Sequence, residues 1–262
     1  MIIRPSSLPG FSDCARRQAA RSFPVEIKSH GYDLREIASS VGASVGTATH
    51  SAVASCLTAK MATGELGNQT EDEQRGVQSL EEQIGYGVQW DQTTPNLNTG
   101  HKQVIRMYRA YRNTVAQAVK PVAIEQRLEF KTRRGNVLSG QPDLTDDGIH
   151  DLKTGVVSRP NGAQYGAYSL LTRASGRDVA RIIEDYVQRA DVDKEQPMPV
   201  ALAYDVELSE RVAANTIARV EALYEDFLAS GDILTWPANP QSVLCGDRFC
   251  PAHSTNSCRE HR

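Results

Sequence analysis

Apolar and polar residues alternate along two stretches in the second half of the chain, 178–188 and 200–208. Alternation with a period of two places every second side chain on one face of an extended strand. Similar runs at 122–131 and 137–144 lead into a turn at Asp147-Gly148, a pair that favours tight hairpins. The pattern predicts three consecutive antiparallel strands that end in a β-hairpin, followed by two further strands.

Apolar residues recur at helical spacing elsewhere in the chain. From Gly46 to Leu57 small residues are frequent, and the helical period turns His50 inward with the apolar side chains. Thr70 and Ser209 are placed to cap the N-termini of two other helices, and Gly231 is placed to end the second of them. The predicted helices span 8–23, 46–57, 70–84, 100–119, 163–171 and 209–228. Together with the strands they predict an α/β fold, a mixed β-sheet flanked by helices.

The composition indicates a folded protein outside the membrane. With 262 residues, 40% of them hydrophobic, the chain is long enough for a single domain covering residues 1–262. No stretch approaches the roughly 20 apolar residues of a membrane helix, and the sequence from Met1 to Pro5 lacks the apolar core of a signal peptide. We therefore expect a cytoplasmic protein with no membrane partner, whose five cysteines remain reduced.

Charge is sorted along the chain although the net charge is only −3. Residues 65–91 are mostly acidic, and residues 101–134 are mostly basic. On the predicted helix 100–119 the basic side chains lie opposite an apolar stripe. These basic side chains either make the exposed face of the helix soluble or bind along the phosphate backbone of a nucleic acid. The candidates for DNA binding are Lys102, Arg106, Arg109, Lys131, Arg133 and Arg134.

The predicted hairpin carries two carboxylates and an amine that can converge. Asp143 lies near the end of its first strand, and Asp151 and Lys153 lie two residues apart on the second, on one face. Two carboxylates suit a hard divalent cation, and an ammonium group beside them can hold a water molecule or offset charge on a phosphate. The set indicates metal-assisted phosphodiester hydrolysis, with an ordinary solvated hairpin as the alternative.

Three more residues are placed to complete such a site. His50 is either a core histidine bonded to the backbone or a ligand aimed at the hairpin. Gln164 and Tyr168 are four residues apart in the helix after the hairpin, and therefore lie on one face. Their alternative role is ordinary packing of the tyrosine against the sheet.

Three cysteines lie within fourteen residues near the C-terminus, namely Cys245, Cys250 and Cys258. In a reducing compartment, a cysteine-rich segment with many turns and little core of its own suggests a metal site. Three thiolates leave one ligand to be found, and His253 would complete a local zinc knuckle. Cys56 is most simply a small core residue.

The motif Pro142-Asp143 followed by Asp151-Leu152-Lys153 resembles the signature of PD-(D/E)xK nucleases in its RecB-like form. The resemblance implies a restriction-endonuclease-like fold and a core over about 40–230. It implies that His50, Asp143, Asp151 and the carbonyl of Leu152 hold Mg²⁺ or Mn²⁺, because Gly46 to His50 is similar to the small-x-x-x-His helix of the family. Lys153 would then orient or deprotonate the attacking water, with Gln164 and Tyr168 positioning it and the DNA.

An early cysteine with a late trio is similar to the arrangement in AddB, in CRISPR-associated adaptation nucleases and in related phage exonucleases. In that resemblance Cys14, Cys245, Cys250 and Cys258 bind an iron-sulfur cluster, expected to be 4Fe-4S, that clamps segments 8–23 and 236–262. The zinc knuckle stays open as the alternative, because the Cys-x4-Cys-x7-Cys spacing is wider than in several relatives.

We therefore expect a metal-dependent DNA exonuclease of recombination, repair or phage DNA processing. Its expected substrate is DNA, with single strands or free ends as candidates, and a helicase or recombination protein would be a separate chain. The alternative is an inactive nucleic-acid-binding accessory module of recombination with a structural zinc or iron-sulfur site. The intact acid-acid-lysine set favours the enzyme, since a binding module needs no metal ligands.

Overall fold

Residues 1–259, the part of the chain that the computed structural model describes, form three β-sheets flanked by helices. The strands are β1 (Ile2–Ile3), β2 (Ser39–Ser40), β3 (Val88–Gln89), β4 (Ala123–Ile124), β5 (Leu128–Lys131), β6 (Val137–Gly140), β7 (Leu144–Thr145), β8 (Ile149–Gly155), β9 (Ile182–Gln188) and β10 (Val200–Tyr204). The helices are α1 (Leu8–Asp13), α2 (Ala15–Ser22), α3 (Pro24–Ser29), α4 (Val41–Thr63), α5 (Gln69–Gly85), α6 (Leu97–Arg112), α7 (Val115–Ala118), α8 (Gly162–Ala174) and α9 (Val206–Ser230). The last residues of the predicted clamp segment 236–262 lie outside the described residues. Within residues 1–259, no helix is both long enough and apolar enough to cross a bilayer.

The main sheet is mixed and has the strand order β10-β9-β8-β7-β4. Strands β8 and β9 run parallel, and the other neighbours run antiparallel. The predicted hairpin is confirmed as β7 and β8, with Leu144 opposite His150. Gly148 is required in its turn, because a Cβ there would lie 2.4 Å from the backbone oxygen of Arg181. The mixed α/β fold class predicted from the sequence is therefore confirmed.

The prediction of one continuous strand over 122–131 is wrong. The backbone turns at Glu125, whose φ of +44° lies in the left-handed region. Strand β4 before the turn joins the main sheet, whereas β5 after it pairs with β6 in a second sheet of order β1-β6-β5. The predicted strand over 137–144 is divided as well, because β6 pairs in the second sheet and β7 in the main sheet. The chain therefore passes between the two sheets twice, at Glu125 and again at 141–143.

Helices cover both faces of the main sheet. Helix α4 begins after Ser40, whose hydroxyl accepts a hydrogen bond from the Ala43 amide. Along its length a Cβ on Gly46 would lie 2.7 Å from Thr154 Oγ1 of strand β8. This close approach places the next turn of α4, which carries His50, over the hairpin. Helices α8 and α9 pack against the opposite face.

Three clusters of buried apolar residues form the interior. The first joins α4 and α6 to one face of the main sheet, and the second joins α8 and α9 to the other face. The third is built from both ends of the chain and includes Phe11, Phe23, Phe227 and Trp236. The predicted helix 8–23 is interrupted within this region, because Cys14 is extended and separates α1 from α2.

Candidate active site

The centre of the site is the contact between helix α4 and the hairpin. His50 Nδ1 lies 3.1 Å from Asp143 Oδ1, and Asp143 Oδ2 accepts a hydrogen bond of 2.8 Å from the Leu152 amide. Each of the two side chains keeps about a quarter of its surface exposed (25% and 24%). The predicted inward orientation of His50 toward the hairpin is therefore present, and the pair is open to a ligand from solvent.

Glu125 completes a group of three ligand atoms. One atom each from His50, Glu125 and Asp143 lie within 4.8 Å of one another, a group that is unique within residues 1–259. The Glu125 amide also donates a hydrogen bond of 3.1 Å to the Asp143 carbonyl oxygen. A left-handed conformation costs a residue other than glycine about 1–3 kcal/mol, and such residues cluster at functional sites. The strained backbone thus holds the Glu125 carboxylate beside His50 and Asp143.

Glu125 was not predicted as a site residue from the sequence, where it was noted only as one of the acidic residues in the basic segment. The pattern from 122 to 131 is that of an uninterrupted strand, in which the side chain has no reason to meet Asp143. The turn at Glu125 carries no glycine, asparagine or proline that would have marked it.

Asp151 and Lys153 lie beside this group, on one face of β8 as predicted. Their side chains form an ion pair, and the other Asp151 oxygen accepts a hydrogen bond of 3.2 Å from Gln164 Nε2. Gln164 also contacts the Tyr168 hydroxyl at 3.3 Å. The structure therefore brings Asp151, Lys153, Gln164 and Tyr168 together, with Asp151 only 1% exposed.

The electrostatics of the His50–Asp143 pair favour charge on both partners. Burial alone would lower the pKa of His50, but the Asp143 carboxylate reverses this and raises it. Burial would raise the pKa of Asp143, but His50, Lys153 and the Leu152 amide together lower it. Without a cation, the pair therefore behaves as an imidazolium beside a carboxylate.

The other two carboxyl groups of the site hold protons more tightly. Burial raises the pKa of Asp151 to about 7, against the lowering effect of Lys153 and with a further increase from Asp143. Burial and the nearby Asp143 also raise the pKa of Glu125. Burial lowers the pKa of Lys153, but Asp151 and Asp143 outweigh it, so that the pKa is raised. Three carboxyl groups thus share a desolvated place, where a bound cation would favour their charged forms.

A buried carboxylate supports Lys153 from the neighbouring strand. Glu184, opposite Asp151 in the register of β8 and β9, is fully buried and accepts a hydrogen bond of 2.6 Å from the Tyr165 hydroxyl. Lys153 Nζ in turn lies 5.6 Å from the centre of the Tyr165 ring. Tyr165 and Glu184 were not predicted as site residues, because neither belongs to the motifs that carried the resemblance.

The basic residues proposed for DNA binding are placed unequally. Arg109 pairs with Glu73 through two hydrogen bonds of 2.7 and 2.9 Å, and Arg106 donates to backbone oxygens including that of Val192 at 2.9 Å. Arg134 pairs with Glu225. The remaining three candidates are exposed on α6, on β5 and in the turn after it, namely Lys102, Lys131 and Arg133.

A second candidate site lies between the two ends of the chain. Four cysteines line one small cavity, Cys14, Cys245, Cys250 and Cys258, together with the buried Arg16 and Arg17. The Asn239 amide donates to Cys14 Sγ at 3.4 Å, and burial raises the pKa of the Cys250 thiol. Among the described residues, His253 does not line this cavity.

Comparisons with known proteins bear on the fold. No family model and no curated protein matches the chain. A crystal structure from Eubacterium rectale named "Putative exonuclease" is similar, with a TM-score of 0.58 and 11% sequence identity, over 93% of this chain and 86% of that one. At this identity the likeness shows the fold alone, which is consistent with the restriction-endonuclease-like arrangement.

Proposed function

We propose that this chain is a metal-dependent deoxyribonuclease of the PD-(D/E)xK type, in its RecB-like form. The observation that carries the proposal is the position of His50, Glu125 and Asp143 beside the buried Asp151–Lys153 pair. Ligands drawn from a helix, a strained turn and a hairpin converge on one exposed point, which packing alone does not require.

The residues at this point fit a divalent cation of the Mg²⁺ or Mn²⁺ class. Carboxylate oxygens suit both ions, and the imidazole of His50 is accepted more readily by Mn²⁺. His50, Glu125 and Asp143 would hold the ion, with Asp151 and the Leu152 carbonyl as the further ligands. When bound, such an ion supplies positive charge to a phosphate oxygen and lowers the pKa of a water molecule.

The chain's own residues then have separate tasks in hydrolysis. Lys153, held between Asp151 and the Tyr165 ring, donates a hydrogen bond that orients the attacking water and offsets charge on the phosphate. Gln164 fixes Asp151 through its amide, and Tyr168 fixes Gln164. Because Lys153 is positively charged near neutral pH, it orients the water rather than removing its proton.

The substrate in this proposal is DNA, attacked from free ends as an exonuclease in recombination, repair or phage DNA processing. The likeness to the Eubacterium rectale protein supports this assignment at the level of the fold. We assign residues 1–262 to a single nuclease domain, with any helicase or recombination partner on a separate chain.

The function is tested by incubating end-labelled linear DNA and circular DNA with Mg²⁺, with Mn²⁺ and with chelator. We expect degradation of the linear DNA with either metal. We expect Asp151→Ala and Lys153→Ala each to lower the rate by at least about 100-fold while the circular dichroism spectrum is retained. Lys120→Ala, at an exposed position before β4, is the matched control and should cleave normally. DNA that is bound but never cleaved would instead indicate the accessory binding module.

We further propose that the four-cysteine cavity holds an iron-sulfur cluster, 4Fe-4S in type. Cys14 from one end of the chain and Cys245, Cys250 and Cys258 from the other line this cavity, whereas His253, among the described residues, does not. This all-sulfur ligand set supports the cluster over the zinc knuckle, and the buried Arg16 and Arg17 suit its negative charge.

A further inference from the structure

A pocket of about 380 Å³ opens directly beside the three-ligand group. Its walls come from one face of α4, from Arg75 of α5 and from Glu125 itself. A second depression of about 490 Å³ shares Ser51, Ser55 and Arg75 with it and continues along α5 past Gln78. The two depressions thus form a continuous path that begins at the proposed cation position and follows the line of contact between α4 and α5.

Hydroxyl groups line the α4 side of the pocket. Ser51, Ser55 and Thr58 recur at positions i, i+4 and i+7, so they lie on one face of the helix, next to His50. Ser51 Oγ forms a hydrogen bond of 3.1 Å with Ser79 Oγ, which joins α4 to α5 at this pocket. Serine and threonine hydroxyls are frequent donors to phosphate oxygens.

Arg75 supplies the positively charged side chain of this pocket. It is exposed, and within residues 1–259 it contacts no carboxylate, whereas the nearby Arg109 and Arg112 pair with Glu73 and Asp72. A guanidinium group presents several donors in a planar fork that matches phosphate. Arg75 is therefore available to an anion from outside the chain.

Two charged residues line the inner pocket, Glu125 and Arg75, and the remaining lining is neutral. Glu71 and Glu82 belong to the outer depression. A divalent cation held by Glu125 and Asp143 would offset their negative charge and leave Arg75 as the charged group of the inner pocket. An anion is the ligand that this arrangement favours.

We propose that this pocket binds the phosphate next to the scissile one in a single DNA strand. The proposal rests on the proposed nuclease function, which supplies the cation and the scissile phosphate. The pocket follows the one line of contact between α4 and α5, so we assign it to one strand rather than to both strands of a duplex. Arg75 would bind the phosphate, with the hydroxyls of Ser55 and Thr58 as further donors.

The test compares Arg75→Gln with Arg219→Gln, which removes the same charge from an exposed position on α9. Binding of fluorescein-labelled single-stranded and duplex oligonucleotides is measured by anisotropy at several salt concentrations, with Ca²⁺ in place of Mg²⁺. We expect Arg75→Gln to weaken single-strand binding about 5- to 10-fold and to reduce the salt dependence by about 0.7 in slope, the value of one phosphate contact. Arg219→Gln should change neither quantity.

Failure of the pocket and failure of the nuclease assignment give different results. Wild-type cleavage together with unchanged binding by Arg75→Gln would overturn the pocket and leave the nuclease standing. Weaker binding by Arg75→Gln in a protein that cleaves nothing would support the pocket and overturn the nuclease. Equal losses on single strands and duplexes would overturn the single-strand assignment.

Discussion

Asp143 and Asp151 are carboxyl groups of one hairpin with opposite proton affinities. His50 and Lys153 keep the pKa of Asp143 below its ordinary value although burial opposes them. Burial raises the pKa of Asp151 to about 7, because Lys153 offsets only part of the cost of desolvation. Near neutral pH without a cation, one group is therefore charged while the other is half protonated. A bound cation would favour the charged form of both.

This difference predicts that Mn²⁺ binding strengthens as the pH rises from 6 to 8. Asp151, with a pKa of about 7, and His50, with a raised pKa, must both lose protons before they bind a cation. Titration by calorimetry in buffers of different ionisation enthalpy should show proton release and an affinity gain of about tenfold. Asp151→Asn should bind more weakly and keep only the pH dependence that His50 contributes. An affinity that is equal at pH 6 and pH 8 would contradict the assignment of Asp151.

The same pKa shifts predict how the stability of the metal-free protein changes with pH. The folded protein holds the Asp151 proton up to about pH 7, whereas the unfolded chain releases it near the ordinary pKa of 3.8. The stability that this proton provides is therefore fully present below pH 3.8 and is lost as the pH rises to about 7. The lowered pKa of Asp143 acts at more acidic pH and does not affect this range. Urea unfolding of the metal-free protein should show lower stability at pH 8 than at pH 6, and Mn²⁺ should reverse the difference.

Prediction from sequence succeeds for single residues where a regular element fixes the direction of the side chain. Asp151 and Lys153 share a face because strand geometry dictates it, and His50 faces the hairpin because of the helical period. Glu125 could not be found in this way. Its position depends on a left-handed turn that the sequence does not mark, and on a hydrogen bond to a residue eighteen positions away.

At the level of elements, the six predicted helices lie where helices form, but their ends are misplaced, and the predictions over 8–23 and 100–119 each cover two separate helices. Helix α5 is capped by Asn68 rather than by Thr70, and α9 is capped by Asp205 rather than by Ser209. In both segments several cap-forming residues follow one another closely. The choice among them depends on where packing against the rest of the protein begins, which no local pattern contains.

The contact between α8 and α9 predicts an effect of one methyl group on the site. A Cβ on Gly166 would lie 1.9 Å from the backbone oxygen of Ser209, so Gly166→Ala must separate the two helices. We expect it to lower the free energy of unfolding by about 3 kcal/mol, measured in urea. Because α8 carries Gln164 and Tyr168, cleavage should fall as well.

Gly162→Ala is the matched control in the same helix. A Cβ there would lie 3.9 Å from Ser209 Oγ, an ordinary contact, so we expect stability within about 0.5 kcal/mol of the wild type. Wild-type stability in Gly166→Ala would show that the two helices can part without cost.

On the scale of the whole molecule, the sorting of charge along the chain takes a different meaning in three dimensions. The acidic segment and the basic segment fold into α5 and α6, and Glu73 and Arg109 neutralise each other across the contact. Arg106 is directed to the loop after β9. Sequence shows which charges exist but not which pairs form, since pairing depends on how distant helices pack. Arg75 of the acidic segment, unlike Arg106 and Arg109 of the basic one, therefore stays available to a ligand.

Residues from both ends of the chain pack together in the third group of buried apolar residues. We therefore predict that a metal cluster bound in the four-cysteine cavity stabilises the whole protein. Trp236 packs near Phe11 and Phe23, and Arg16 Nε donates to the Trp236 carbonyl oxygen at 3.0 Å. Residues from the two ends therefore meet around the cavity. A cluster bound there would contribute folding free energy, because its ligands are brought together only in the folded state.

The Cys250→Ser substitution should therefore remove a ligand of the metal cluster and, with the cluster, the connection between the two ends of the chain. We expect a brown wild-type protein with broad visible absorbance, and a Cys250→Ser variant that is colourless and unfolds at least about 5 °C lower. Iron and sulfide analysis measures the cluster, and thermal unfolding measures the connection. Cys56→Ser is the matched control, because Cys56 lies buried in the first core, near Arg112, away from the cavity. It should keep both iron and colour.

His253→Ala separates the two metal assignments. An all-cysteine cluster predicts that this variant retains iron, because His253 does not line the cavity among the described residues. A zinc knuckle predicts a colourless wild-type protein with one zinc ion, which His253→Ala would release. Either zinc in the wild type or loss of metal in His253→Ala would overturn the cluster. Cleavage by a cluster-free Cys250→Ser variant at low temperature, with Mg²⁺ supplied, would show that the hairpin site works independently, since His50, Glu125 and Asp143 lie in other elements.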